Sequence, residues 1–132
     1  MSASCRQWPR RRACLIWAGV FGLFSSSAWA TPPAAEMARI ERLLAALASR
    51  KELKLIRNGS EYDTETGAVF LRRKLESMGG DVKTCEEFID RIASGSSMSG
   101  QAYKVRLSDG REIPAREFLR LELARLERPP AK

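Results

Sequence analysis

Histidine is absent altogether, and that absence removes more chemistry than any residue present supplies. Without it there is no Ser–His–Asp or Cys–His nucleophile and no imidazole ligand for a metal. Cysteine is scarce: Cys5, Cys14 and Cys85 are the full set, too few for a thiolate zinc or iron–sulfur site. The D-x-[DN]-x-[DN]-G pattern that gathers oxygen ligands around calcium is also missing. Neither a metal nor a cofactor is expected. Acid is lacking too from the first thirty residues, which hold four arginines and no Asp or Glu.

That charge asymmetry marks the most informative segment. Arg6, Arg10, Arg11 and Arg12 precede an uncharged apolar run, Ala13 to Phe24, then a Ser-rich stretch ending Ala28-Trp29-Ala30. A basic flank, an apolar centre and an A-x-A-like site predict a secretory signal peptide over residues 1–30. An uncleaved anchor is the alternative, but the apolar centre is short for a membrane span. Cys14 stands where a twin-arginine signal wants a bulky apolar residue, so the general secretory route and a periplasmic location are expected. Cleavage leaves a leader at 31–35, one globular domain at 36–128 and a tail at 129–132. It also takes four basic residues from the chain's 23, leaving 19 − 16 = +3. A surface that mildly basic is no nucleic-acid footprint. Stable membrane insertion after cleavage is not expected either. Cys85 would then be the sole thiol, so no internal disulfide forms and a hydrophobic core must stabilise the domain.

Periodicity supplies the elements. Met37, Ile40, Leu43, Leu44 and Leu47 recur at helical spacing between Glu36 and Lys51, with Arg39, Glu41, Arg42 and Arg50 on the outer face. Leu53 to Arg57 reads as a short strand entering a turn at Asn58-Gly59. Asp63 or Thr64 caps a second helix with Ala68, Leu71, Leu75 and Met78 buried, ended by Gly79-Gly80. Thr84 to Glu87 has capping-box spacing for a third helix with Phe88, Ile89 and Ile92 inside. Tyr103, Val105 and Leu107 alternate as a half-buried strand, and Asp109-Gly110 turns into a brief return strand at Arg111 to Ile113. Pro114 suits the first position of a last helix burying Ala115, Phe118, Leu119, Leu123 and Leu126. Glu117 with Arg120, and Glu122 with Arg125, are pairs expected on its wet face. The fold class is α+β, with about four helices packed on a small two- to three-stranded antiparallel sheet.

Several patterns resemble chemistry and fail on inspection. Gly95 to Gly100 has phosphate-loop spacing, but Gln101 and Ala102 stand where Lys and Ser/Thr belong. Glu86, Glu87 and Asp90 share one helical turn, which suits the helix dipole rather than a pair of catalytic carboxyls. A serine–lysine dyad survives the lack of histidine, yet no S-x-x-K follows residue 30. Arg72-Arg73-Lys74 reads as a solvated helix face. Cys85, at a helix start, reads as a small buried residue rather than a reactive thiol.

Two stretches resemble an uncharacterised family of small exported bacterial proteins. Leu55-Ile56-Arg57-Asn58-Gly59-Ser60-Glu61-Tyr62 is similar to its R-N-G-S segment. Thr84 to Ile89 and Ile92 to Tyr103 are similar to its S-S-x-S-G-x-x-Y segment. Phe70-Leu71 stands where that family often has His-Leu, and Cys85 where Ala is usual. The resemblance covers about Glu36 to Leu126 and implies export and a shared fold, with no reaction attached.

If the two main strands pair, both segments meet at one end of the sheet. The candidate binding residues are therefore Arg57, Asn58, Ser96, Ser97, Ser99, Gly100 and Tyr103, with no catalytic residue named. Arg57 would meet an anionic group, and Asn58 and the hydroxyls would donate hydrogen bonds. The structural alternative is that these groups hold the turns. A small soluble periplasmic binding or interaction module is the expected function, with an envelope protein or a small anionic ligand as partner. An envelope hydrolase or transferase using a serine of the Ser96–Ser99 loop is the alternative. An accessory docking through an apolar stripe on the first or last helix is a third class.

Overall fold

A computed structural model of the protein describes residues 32–131, so the predicted signal peptide lies outside the described residues. Helix α1 (Ala34–Ser49) buries Ile40, Leu43, Leu44 and Leu47, spaced so that all four share one face. Strand β1 (Lys54–Arg57) follows, and Asn58 (φ 50°) with Gly59 (φ 80°) returns the chain into β2 (Ser60–Asp63). Two successive left-handed residues are what a tight two-residue hairpin requires, and Asn-Gly is the pair that accepts them most readily. Asp63 then caps α2 (Thr64–Met78), its Oδ1 accepting the Thr66 N–H at 2.7 Å.

Thr84 caps α3 (Cys85–Glu87), its Oγ1 accepting the Glu87 N–H at 3.1 Å. The Glu87 carboxylate returns to the N–H of Lys83 at 2.7 Å, one residue further back than a reciprocal box requires. Helix α3 runs straight on as a π-wound segment, Phe88–Ala93. Winding by i→i+5 keeps Ala93 on the same buried face as Phe88, beside Ile89 and Ile92. Strands β3 (Lys104–Arg106) and β4 (Glu112–Pro114) and helix α4 (Ala115–Glu127) complete the order.

The sheet runs β2-β1-β3-β4 with every neighbouring pair antiparallel. The α+β expectation holds, but the strands number four because β2 extends the sheet on one side. Leu55 lies opposite both Tyr62 and Val105, and Val105 opposite Ile113, which defines the face the helices cover. The other face carries Lys54, Glu61, Lys104, Arg106 and Glu112. There Arg106 pairs with Glu61 and, at 2.7 Å, with Glu112, so charge keeps that face wet.

Several expected placements are corrected. Met78 is 55% exposed, because the buried stripe of α2 is completed by Lys74 at 8% rather than by Met78. Arg39 is drawn inward from the outer face of α1 by Glu36 (2.8 Å), Glu86 (2.7 Å) and Glu127 (2.6 Å). Pro114 closes β4 and sits just before α4 instead of inside it. Arg120 reaches Asp90 at 2.7 Å rather than Glu117, while Glu122 pairs with Arg125 as expected but is itself buried.

Candidate functional site

Arg57 shares the parity of Leu55, so its side chain enters the helix-covered side of the sheet where β1 ends. There its guanidinium carbon lies 4.1 Å above the centre of the Phe70 ring, supplied by α2. Phe70 in turn meets Tyr103 edge-on, with centroids 5.9 Å apart and planes at 72°. Cation on ring and ring edge on ring are the orientations that the aromatic quadrupole favours.

Lys74, one helical turn beyond Phe70, completes the stack from below. Its Nζ donates to the carbonyls of Ile92 (2.9 Å) and Gly95 (2.5 Å) and approaches the Tyr103 hydroxyl at 3.4 Å. The three donors of an ammonium are thereby engaged by protein acceptors, two of them carbonyls in the last turn of the π-wound segment and at the start of the loop after it. Lys74 therefore positions the loop rather than facing solvent. This corrects its expected place on a solvated helix face, an assignment that Arg73 does fit.

Between residues 94 and 103 the chain folds back on itself. Tyr103 N–H donates to Ser94 O at 3.0 Å, Ser96 N–H to Gln101 O at 2.9 Å and Gly100 N–H to Ser96 O at 2.9 Å. Gly100, at φ 70°, takes the left-handed position. Ser96 Oγ accepts the Ser99 N–H at 3.2 Å, and Ser97 Oγ lies 3.8 Å from Met78 Sδ. Ser99 Oγ donates to Asn58 Oδ1 at 2.9 Å and so ties the loop to the β1–β2 hairpin.

The predicted residues thus divide into groups. Arg57, Ser96, Ser97 and Tyr103 line one cleft of about 260 Å³ between α2 and the loop. Asn58 and Ser99 form the strap beside it. Gly100 lines a separate, neighbouring hollow of about 410 Å³ instead. Phe70, Arg73, Lys74, Ser77, Met78 and Met98 also line the cleft, beyond the residues that the sequence motifs suggest. The signal for Phe70 and Lys74 was present: both sit next to buried leucines of α2, on the flank that turns toward β1 and the loop.

No carboxylate lines the cleft. Arg57 makes no ion pair among the described residues, and its Nε, out of solvent, has no acceptor. Arg73 is likewise unpaired, whereas Arg72 beside it holds Glu41 at 2.5 Å. The arrangement is a small cationic hollow with hydroxyls on one wall and thioethers at the rim.

Cys85 lies elsewhere, fully buried where α1 meets α3. Burial pushes its thiol up to about 11 despite the nearby Arg39. Its N–H donates to Glu36 Oε2 at 2.8 Å, so a side chain from α1 serves the start of α3. Among the described residues no three His, Cys, Asp or Glu side chains gather as a metal would need. No helix there is long and apolar enough to cross a membrane. The large apolar side chain exposed on α4 is Leu121, a single residue rather than a stripe.

Residues 34–127 match a family described as one of unknown function, DUF5329. The chain is also 40% identical over 89 residues to the uncharacterised protein YfeK of Salmonella typhimurium strain LT2. That stretch covers 67% of this chain and 74% of YfeK. No solved structure matches.

Proposed function

The chain belongs to the DUF5329 family of unknown function, and from its cleft we propose an exported, non-catalytic binding module that takes an anionic group. The observation that carries the reading is the pair Arg57 and Arg73. Two guanidinium groups line one hollow with Ser77, Ser96, Ser97 and Tyr103 and no acid among them. Arg57 is half-buried and Arg73 stands at the exposed mouth; neither makes an ion pair among the described residues, and a bound anion would supply one. The serine hydroxyls support binding over catalysis, since their partners are the loop's own N–H groups, Met78 and Asn58 rather than a base. Export rests on the basic, apolar and Ala-Trp-Ala sequence of residues 1–30, which would bring the module to the periplasm by the general secretory route.

Two measurements test this. Mass spectrometry of the protein in periplasmic fluid is expected to find a chain beginning at Thr31; an intact leader on cytosolic protein overturns the location. Titration with inorganic phosphate is expected to raise the unfolding temperature of the wild type. The rise should be smaller by at least half in Arg57→Ala and Arg73→Ala, since stabilisation scales with occupancy. Equal responses in all three would remove the anion site. Affinity capture from envelope extract, wild type against Arg57→Ala and Ser97→Ala, then searches for the natural partner.

A further inference from the structure

Arg57 and Phe70 line two cavities, and the second gives the anion a shape. Besides the cationic cleft, these residues wall a more enclosed hollow of about 150 Å³ with Leu55, Tyr62, Thr66 and Gly67. Its lining is aliphatic and aromatic except for Thr66 and the Arg57 cation. Beside it Gly67 lets α2 approach β1 closely: a Cβ there would stand 2.8 Å from Leu55 Cδ2. An apolar hollow of about this size accepts one benzene-sized guest. Fixed charge stands at its wall in the form of the Arg57 guanidinium, which makes no ion pair among the described residues and whose buried Nε has no acceptor there.

We propose that the ligand is a small carboxylate bearing one aromatic ring or an equivalent short alkyl group. The ring enters between Leu55, Tyr62, Gly67 and Phe70 while the carboxylate meets Arg57. This rests on the anion site proposed above and adds the apolar half of the ligand. Ring burial supplies affinity, and the guanidinium rejects neutral analogues, whose entry would leave the charge unpaired. The same chemistry occurs in a free arylalkanoic acid and at the C-terminus of a peptide ending in phenylalanine.

The chain has two tyrosines, and each reports one cavity: Tyr62 lines the apolar hollow and Tyr103 the cationic cleft. Protein labelled with 3-fluorotyrosine is titrated by fluorine NMR with acetate, inorganic phosphate, phenylacetate, benzyl alcohol, Gly-Gly-Phe and its C-terminal amide. Phenylacetate is expected to shift the Tyr62 resonance and to bind about tenfold tighter than acetate. Benzyl alcohol and the peptide amide should leave it in place. Thr66→Phe, which fills the hollow from its exposed rim, should weaken phenylacetate about tenfold yet spare the phosphate response at Tyr103. Arg57→Met, of similar length and uncharged, should abolish both responses. Binding of phenylacetate alone assigns the site to free acids; binding of Gly-Gly-Phe as well extends it to chain ends. Phenylacetate no tighter than acetate, or an unmoved Tyr62, overturns the apolar half while a phosphate shift at Tyr103 leaves the anion site standing. Silence of both tyrosines toward every anion overturns the two together.

Discussion

A buried ammonium needs three acceptors, and Lys74 finds them in Ile92 O, Gly95 O and the Tyr103 hydroxyl. Replacing it by methionine preserves volume but leaves two carbonyls without their donor. Lys74→Met is therefore expected to lower the stability read from urea unfolding by about 2 kcal/mol. Amide exchange across residues 94–103 should quicken in the same variant. Cys85 shows the opposite design, a polarisable atom with nowhere to react. Its thiol, pushed up to about 11 by burial, is protonated at neutral pH. In protein prepared from Thr31 onward, an aromatic disulfide reagent at about pH 8 is expected to leave the folded form unmodified and to label it once urea exposes the side chain. Rapid labelling of folded protein would contradict that burial.

At the scale of elements, the N-G dipeptide decides how β1 continues. Gly59, at φ 80°, has no heavy atom within 4 Å of an added Cβ, so the penalty for alanine is purely conformational. Gly59→Ala is expected to lose about 1–2 kcal/mol in urea unfolding, with no change in the spectroscopic signature of the fold. The helices were legible because their apolar residues recur at three- and four-residue steps, and Thr84 and Asp63 announce their starts. Strand β2 was not, since Ser60-Glu61-Tyr62-Asp63 has one aromatic residue and no alternation of apolar side chains. The turn alone, Asn58-Gly59, carried that information. The π-winding of Phe88–Ala93 leaves no periodic mark that six residues can show. Of the cleft's lining, Arg57, Ser96, Ser97 and Tyr103 lie in the two motif segments. Phe70, Arg73 and Met78, from α2, join it only where that helix meets the loop in space.

Across the whole molecule, Arg39 joins α1, the start of α3 and the end of α4 through Glu36, Glu86 and Glu127. Hydrogen bonding to Arg39, ahead of every other influence, holds the Glu86 carboxyl below its ordinary value of 4.5. Its folded value is the lower one, so the unfolded chain takes up the proton first as acid is added. The stabilisation is fully present above the ordinary glutamate range and disappears as pH falls through the folded value. Arg39→Met is thus expected to be less stable than the wild type near neutrality, and the gap should narrow between about pH 5 and about pH 3. A gap independent of pH would mean that Arg39 acts through packing alone. The pairing of β1 with β3 sets Leu55 beside Val105, fifty positions apart along the chain, so hairpin and loop meet only once most of the molecule is in place.

At its two margins the sheet offers a stranger's backbone very little. Strand β2 is four residues with two carboxylates, and β4 is three residues ending in a proline that has no N–H to give. Such brief, charged borders make poor templates for recruiting a second polypeptide. A molecule so edged can reach high concentration with its backbone closed to sheet-to-sheet stacking.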